Sequence, residues 1–306
     1  FVVSSQNIKT RQLKATGEPS GKILVTDANE RFIYVDPCSL LCEDSIIAII
    51  ERYNNPIPII DAPQELTAHN SAYCWLQGNR TLYDETSGKA WLGVQADTGN
   101  GYRQHILEIN DDNTTVITEI GTLALQDDHN NPSLIKLQTD SKLFTTYADH
   151  TANHLVKWRV STNPLSAAGW EEEKTFTAGY VVSYPTPFQA TNGDIYIFYR
   201  ETYDGYYYIK STDNGDTFGE RTHFLSNLDL ISPSSNYVVY AQDPNNKDYI
   251  YCLASSGTPN YNATITNFTF KINLATGQCS TLEGGLISPL PVDSPNDGNI
   301  VMTTNA

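Results

Sequence analysis

The sequence predicts an all-β fold, a β-propeller of four-stranded antiparallel blades, about five to seven of them, behind a short N-terminal connector. Three observations carry this expectation. Short apolar runs bounded by turn residues recur every ~45 residues from about residue 67 onward, the spacing of a four-stranded blade. No part of that region repeats its apolar residues at helical spacing, which sets aside a parallel α/β layout. The third is Ser211-Thr212-Asp213-Asn214-Gly215-Asp216-Thr217-Phe218, which has the residues of a tight hairpin turn. In such a turn Asp213 satisfies backbone amides, Gly215 takes a positive φ and Phe218 plugs the sheet.

Residues 1–66 read as a connector or cap and residues 67–306 as the propeller domain. In the first segment, Lys22–Thr26 and Arg31–Val35 flank Asp27-Ala28-Asn29-Glu30, a hairpin pattern. Glu43-Asp44 ahead of Ser45–Tyr53, with Arg52 near its end, predicts a short helix, and Pro56, Pro58 and Pro63 then punctuate the chain. The first blade-like group is Ala72–Leu76, Ala90–Val94 and Arg103–Ile109. Ser133–Leu137, Lys142–Tyr147 and His154–Val160 form the second. Asp194–Arg200 and Tyr206–Ser211 belong to the third; Asn236–Tyr240, Asp248–Leu253 and Asn267–Ile272 make the fourth. A tail from Leu286 to Ala306 is expected to close the ring with the N-terminal strands. Ser161-Thr162-Asn163-Pro164, leading to Trp170, reads as a degenerate second copy of the hairpin turn.

The bulk numbers exclude some partners. A formal net charge of −16 over 306 residues argues against nucleic acid and anionic membranes. It also demands a local basic feature if the ligand is a polyanion. No apolar run reaches the length of a membrane span. The chain opens at Phe1 with no signal peptide in view, the pattern of a processed or trimmed protein. Sequons at Asn79, Asn113, Asn262 and Asn267 matter only in a eukaryotic secretory route. Five cysteines give no clean disulfide framework. Cys38 and Cys42 could join a histidine around a metal, but the second pair such a site needs is missing, so neither metal nor other cofactor is expected.

The densest polar stretch is Asp127-Asp128-His129-Asn130-Asn131-Pro132, just ahead of the strand Ser133–Leu137. It is either a functional loop on a rigid scaffold or a turn made for local reasons. Downstream, His150 follows the next strand, Tyr184 opens another and Arg200 closes the one after. With Trp91-Leu92-Gly93, Ser183-Tyr184-Pro185-Thr186-Pro187, Tyr199-Arg200, the 211–218 turn and Tyr237-Val238, the chain resembles the BNR-repeat, sialidase-like propellers that include the ulvan lyases. The resemblance covers roughly residues 85 to 255 and implies a polysaccharide lyase that cleaves uronate-containing polymers by β-elimination. It assigns His129 and Tyr184 as the acid/base pair and Arg200 as neutraliser, with His150 and Tyr237 supporting. Those lyases are longer, with about seven blades, so this chain would lack some cleft walls.

The chemistry agrees with that assignment. β-Elimination needs a cation to neutralise the uronate carboxylate, a base for the α-proton and an acid for the leaving oxygen. A guanidinium binds a carboxylate through two parallel hydrogen bonds, and histidine and tyrosine can exchange the protons. His129 as base and Tyr184 as acid is the preferred assignment, with Tyr184 in both roles as the variant. Asn130, Asn131, Tyr206 and Tyr207 are expected to meet the sugar. Bland readings stand beside each residue: a hydrogen-bonded histidine, a packed tyrosine, or Arg200 paired on the surface with Glu201 or Asp204. His69, His105, His154 and His223 read as structural or peripheral.

Two other functions remain open on sequence. A non-catalytic glycan-binding propeller would use the Tyr203–Tyr208 run to stack on sugars, as in a virion or tail-fibre receptor-binding protein, which would be a homo-oligomer. A sialidase-like hydrolase needs an arginine triad and several such hairpin turns, whereas the chain has eight arginines in all and one clear turn. Either way the expected partner is an anionic polysaccharide and the setting secreted, extracellular or the virion surface.

Overall fold

The computed structural model describes residues 23–26, 32–35, 71–72, 78–97, 101–112, 114–122, 128–150, 153–228, 236–257 and 265–304. The chain divides into two compact units, Phe1–Glu65 and Leu66–Ala306. In the first, β1 (Ile23–Thr26) pairs antiparallel with β2 (Phe32–Val35), the hairpin expected around Asp27–Glu30. The helix expected over Ser45–Tyr53, and Cys38, Cys42 and Cys74, lie outside the described residues.

Among the described residues the second unit holds four antiparallel sheets in chain order. The first holds β3 (Ser71–Ala72), β4 (Thr81–Asp84), β5 (Lys89–Asp97), β6 (Tyr102–Ile109) and β7 (Thr115–Thr122). In the second, β8 (Ser133–Lys136), β9 (Leu143–Ala148), β10 (Leu155–Val160) and β11 (Lys174–Thr177) follow one another edge to edge. The third repeats that order with β12 (Val182–Gln189), β13 (Ile195–Glu201), β14 (Gly205–Ser211) and β15 (Thr222–Ser226). The fourth has β16 (Val238–Gln242), β17 (Tyr249–Ser255), β18 (Ile265–Asn273), β19 (Gln278–Ser280), β20 (Leu286–Ile287) and β21 (Asn299–Thr304). The only helical turns among the described residues are two short 3-10 turns, Asp128–Asn130 and Pro295–Asp297. The fold is therefore the all-β propeller class the strand spacing implies. Four sheets are described where about five to seven blades were expected.

Within the second unit the tail completes the fourth sheet: β20 joins β19 and β21 joins β18.

The core explains why Ile195–Tyr199 of β13 reads as an unbroken apolar run. Every residue of β13 is buried. Ile195, Ile197 and Tyr199 pack with Val156, Trp158 and Ile209, whereas Tyr196 and Phe198 pack with Phe224, Phe268 and Phe270. A strand covered on both faces has no solvent side and so no alternation. Phe198 lies at the centre of its face, with the rings of Phe188, Tyr208, Phe224 and Tyr240 at 5.6, 5.3, 5.3 and 5.4 Å. Phe198→Ala is expected to cost ~3–5 kcal/mol, because so rigid a cluster leaves a cavity. Urea unfolding measures it; a loss under ~1 kcal/mol would mean the cluster collapses to fill the space.

The 211–218 turn closes as its residues suggest. Asp213 accepts from the Thr217 amide at 2.9 Å, from the Thr217 hydroxyl at 2.5 Å and from the Ser211 hydroxyl at 2.7 Å. Desolvation opposes its charge, but these donors outweigh it and hold the carboxyl down at about 2. Gly215 has φ +91°, and a Cβ there would lie 2.8 Å from the Phe144 ring. Its carbonyl accepts from the Trp158 indole at 2.8 Å, and Phe218 sets its ring against Trp158 at 4.8 Å. The turn thus pins the third sheet to the second.

Candidate functional site

Antiparallel pairing puts the start of one strand beside the end of the next. His129 sits in the turn that feeds β8, and His150 lies just past the end of β9. Tyr184 is near the start of β12, Arg200 near the end of β13, and Tyr237 immediately precedes β16. Three successive sheets therefore present these five side chains at one end.

They meet there. The His129 and His150 rings stack at 4.4 Å with 15° between their planes. Tyr184 lies 5.1 Å from His129 and 6.1 Å from Tyr237, centroid to centroid. The Arg200 guanidinium carbon sits 4.7 Å from the Tyr184 ring centre and 5.6 Å from that of Tyr237. Cation–ring contacts of this kind strengthen when desolvated, and Arg200 is 4 % exposed. The surface pairing of Arg200 with Glu201 or Asp204 does not occur: Glu201 pairs with Arg221, and Asp204 accepts from Tyr207.

Local backbone aims the two central residues. The β12–β13 register slips between Ser183 and Thr186, so Tyr184 and Pro185 form a bulge. Tyr184 has φ +58°, a left-handed conformation that costs a bulky residue energy and recurs at functional sites. Ser183, the Cα partner of Arg200, accepts from its Nε at 2.9 Å and fixes the guanidinium plane. Sequence reasoning missed Ser183; the signal was the pair of prolines in one strand, which points to an irregular edge. Below His150, Asp149 accepts from Lys157 at 2.8 Å and Asn153 at 2.9 Å, a buried pair that neutralises itself.

The residues expected to meet the sugar are as buried as the centre of the cluster, where Tyr184 and Arg200 are each 4 % exposed. Asn130 and Asn131 are 3 % and 0 % exposed; Asn130 accepts from the His150 backbone amide at 2.7 Å, which makes it a positioning residue. Tyr206 is enclosed and donates to the Asn236 carbonyl at 2.8 Å. Burial pushes its phenol up to about 12 against the opposing influence of Arg200, so it stays protonated. Tyr207 lies between Arg221, whose guanidinium carbon is 4.6 Å away, and the stacked ring of His223 at 4.4 Å. Of the Tyr203–Tyr208 run, only Tyr203 is exposed. Both faces of the third sheet are covered at these positions.

His223 carries a pH prediction. Desolvation lowers its pKa below the ordinary imidazole value, with its Nε2 3.1 Å from the Leu225 carbonyl. A depressed folded value means the neutral form is preferred. Its stabilising contribution is complete above the unfolded value of about 6.5 and is lost as pH falls through that value toward the folded one. Thermal midpoints of wild type and His223→Gln should therefore converge between neutral and mildly acid pH; a difference independent of pH would contradict the assignment.

Among the described residues no group of histidine, cysteine, aspartate or glutamate side chains could hold a metal ion. Cys252 and Cys279 are buried free thiols in the core of the fourth sheet.

A propeller-class scaffold with a ring-and-guanidinium cluster at one end of its sheets defines the class of protein. Residues 81–305 match the BNR repeat-containing family, and the chain belongs to it. It is 27 % identical over 170 residues to an ulvan lyase of Pseudoalteromonas sp. (strain PLSV), which spans 51 % of this chain and 34 % of that protein. The structure of a PL25 ulvan lyase bound to -[GlcA(1-4)Rha3S]- superposes with a TM-score of 0.59 at 17 % identity, over 77 % of this chain and 60 % of that one. The polysaccharide lyase Uly1 superposes with a TM-score of 0.52 at 12 % identity, over 80 % and 63 %. The chain thus spans about a third of the length of the curated relative and under two thirds of these solved ones.

Proposed function

We propose that this protein is a polysaccharide lyase that cleaves a uronate-containing, ulvan-like polymer by β-elimination. The observation that carries the reading is the meeting of His129, His150, Tyr184, Tyr237 and Arg200 in one cluster. The ulvan lyase relative adds support at the level of reaction class.

The residues divide the work as follows. Arg200 supplies fixed positive charge where the uronate carboxylate becomes an enolate, in a dry setting where such charge acts strongly. His129 takes the proton α to the carboxylate. Tyr184, 5.1 Å away ring to ring, gives its proton to the bridging glycosidic oxygen. The C–H and C–O bonds break, a carbon–carbon double bond forms in the uronate, and the two residues exchange protons with water to reset. Alternatively Tyr184 performs both transfers, with the imidazole pair orienting the sugar. Asn130 and Ser183 hold His150 and Arg200 in place. A substrate of this kind puts the protein outside the cell or on a virion surface.

A glycan-binding protein without catalysis is the alternative reading. The experiment that separates the two is incubation with ulvan and other uronate polymers, following the ultraviolet absorbance of unsaturated uronate, which only a lyase creates.

A further inference from the structure

Gln104 lies on β6, in the first sheet, outside the three sheets that carry the cluster. It is 0 % exposed, in a strand whose neighbours Ile106 and Leu107 belong to the buried core. Its amide nitrogen donates to the Asn130 carbonyl at 2.8 Å and to the Ala148 carbonyl at 3.2 Å. Those two carbonyls belong to the segments that carry the stacked imidazoles: Asn130 follows His129, and Ala148 ends β9 two residues before His150. Asn130 completes the link by accepting from the His150 amide at 2.7 Å. The β6–β7 register slips between Gln104 and His105, a bulge at the same point. Bulges re-aim side chains, and a primary amide is the uncharged group that offers two N–H donors from one atom. The orientation follows from chemistry, because the reverse would set the amide oxygen against two carbonyl oxygens.

We infer that Gln104 is a positioning residue, a clamp reaching from the neighbouring sheet that fixes the His129 turn to the end of β9 and so sets the stack of His129 on His150. Its catalytic consequence rests on the lyase reading above; its geometric consequence does not. Gln104→Met keeps length and volume but removes both donors. Gln104→Glu keeps the shape and, when charged, aims an acceptor at two acceptors; only its protonated form restores one donor.

The experiment uses histidine-labelled protein. Wild type should show a nuclear Overhauser contact between the His129 and His150 rings, whose centroids are 4.4 Å apart. In Gln104→Met that contact should vanish while the thermal transition stays cooperative. If the protein is a lyase, kcat should fall ~10- to 100-fold with KM little changed, as expected when catalytic groups are misplaced and binding is spared. The activity of Gln104→Glu relative to wild type should rise as pH falls, whereas that of Gln104→Met should stay flat. Should Gln104→Met fail to fold, the pH-dependent ring contact in Gln104→Glu decides. Ring contacts that change with Gln104 in a protein without lyase activity would sink the proposed function and leave the clamp standing. A ring contact and turnover unchanged in Gln104→Met would overturn the clamp.

Discussion

Tyr184→Phe is expected to lower turnover on a uronate polymer by ~10²–10⁴-fold, the range for losing a general acid or base. The ring is kept, so its contacts with His129, Tyr237 and Arg200 should persist. Polymer affinity should stay within a few-fold of wild type, because the hydroxyl acts in the transition state rather than in binding. The bulge at Tyr184 and its left-handed φ stay the same in the variant, since phenylalanine meets the same backbone cost. A pure binding protein would show the opposite pattern, with no activity to lose. Measuring affinity and unsaturated product on the same preparation decides it; turnover retained within about threefold would remove Tyr184 from the chemistry.

Arg200→Lys is the second large effect. Lysine keeps the charge but loses the flat guanidinium that faces Tyr184 and Tyr237 and the Nε–H that Ser183 holds. A compact ammonium is also more strongly hydrated, so enclosing it costs more. The expected loss is ~10²–10³-fold in kcat, comparable to removing one donor to a developing oxyanion. Wild-type kcat in the lysine variant would mean that net charge alone suffices, and the stacked geometry would then have no catalytic part.

Much of this was legible in the sequence, for physical reasons. β13 announces itself as a strand through the apolar run Ile195–Tyr199, which is buried on both of its faces. The meeting of the cluster was legible because its residues fall at strand ends: a histidine before β8, another after β9, a tyrosine–proline pair opening β12 and an arginine closing β13. Pairing rules place such ends together once the sheets form. Enclosure was not legible. Tyr206 and Tyr207 look like a sugar platform in one dimension, yet both are buried in the folded protein. Asn130 reads as a ligand-binding amide, but its partner is a backbone amide 20 residues away. Gln104 had no local signal, since its partners lie 26 and 44 residues distant in another sheet.

The central claim is that the five-residue cluster performs β-elimination. The direct measurement is mass and ultraviolet analysis of products from purified wild-type protein and ulvan. Oligosaccharides that end in an unsaturated uronate are expected, each lighter by one water than the hydrolysis product. Saturated oligosaccharides, or intact polymer bound but not cut, would contradict the claim.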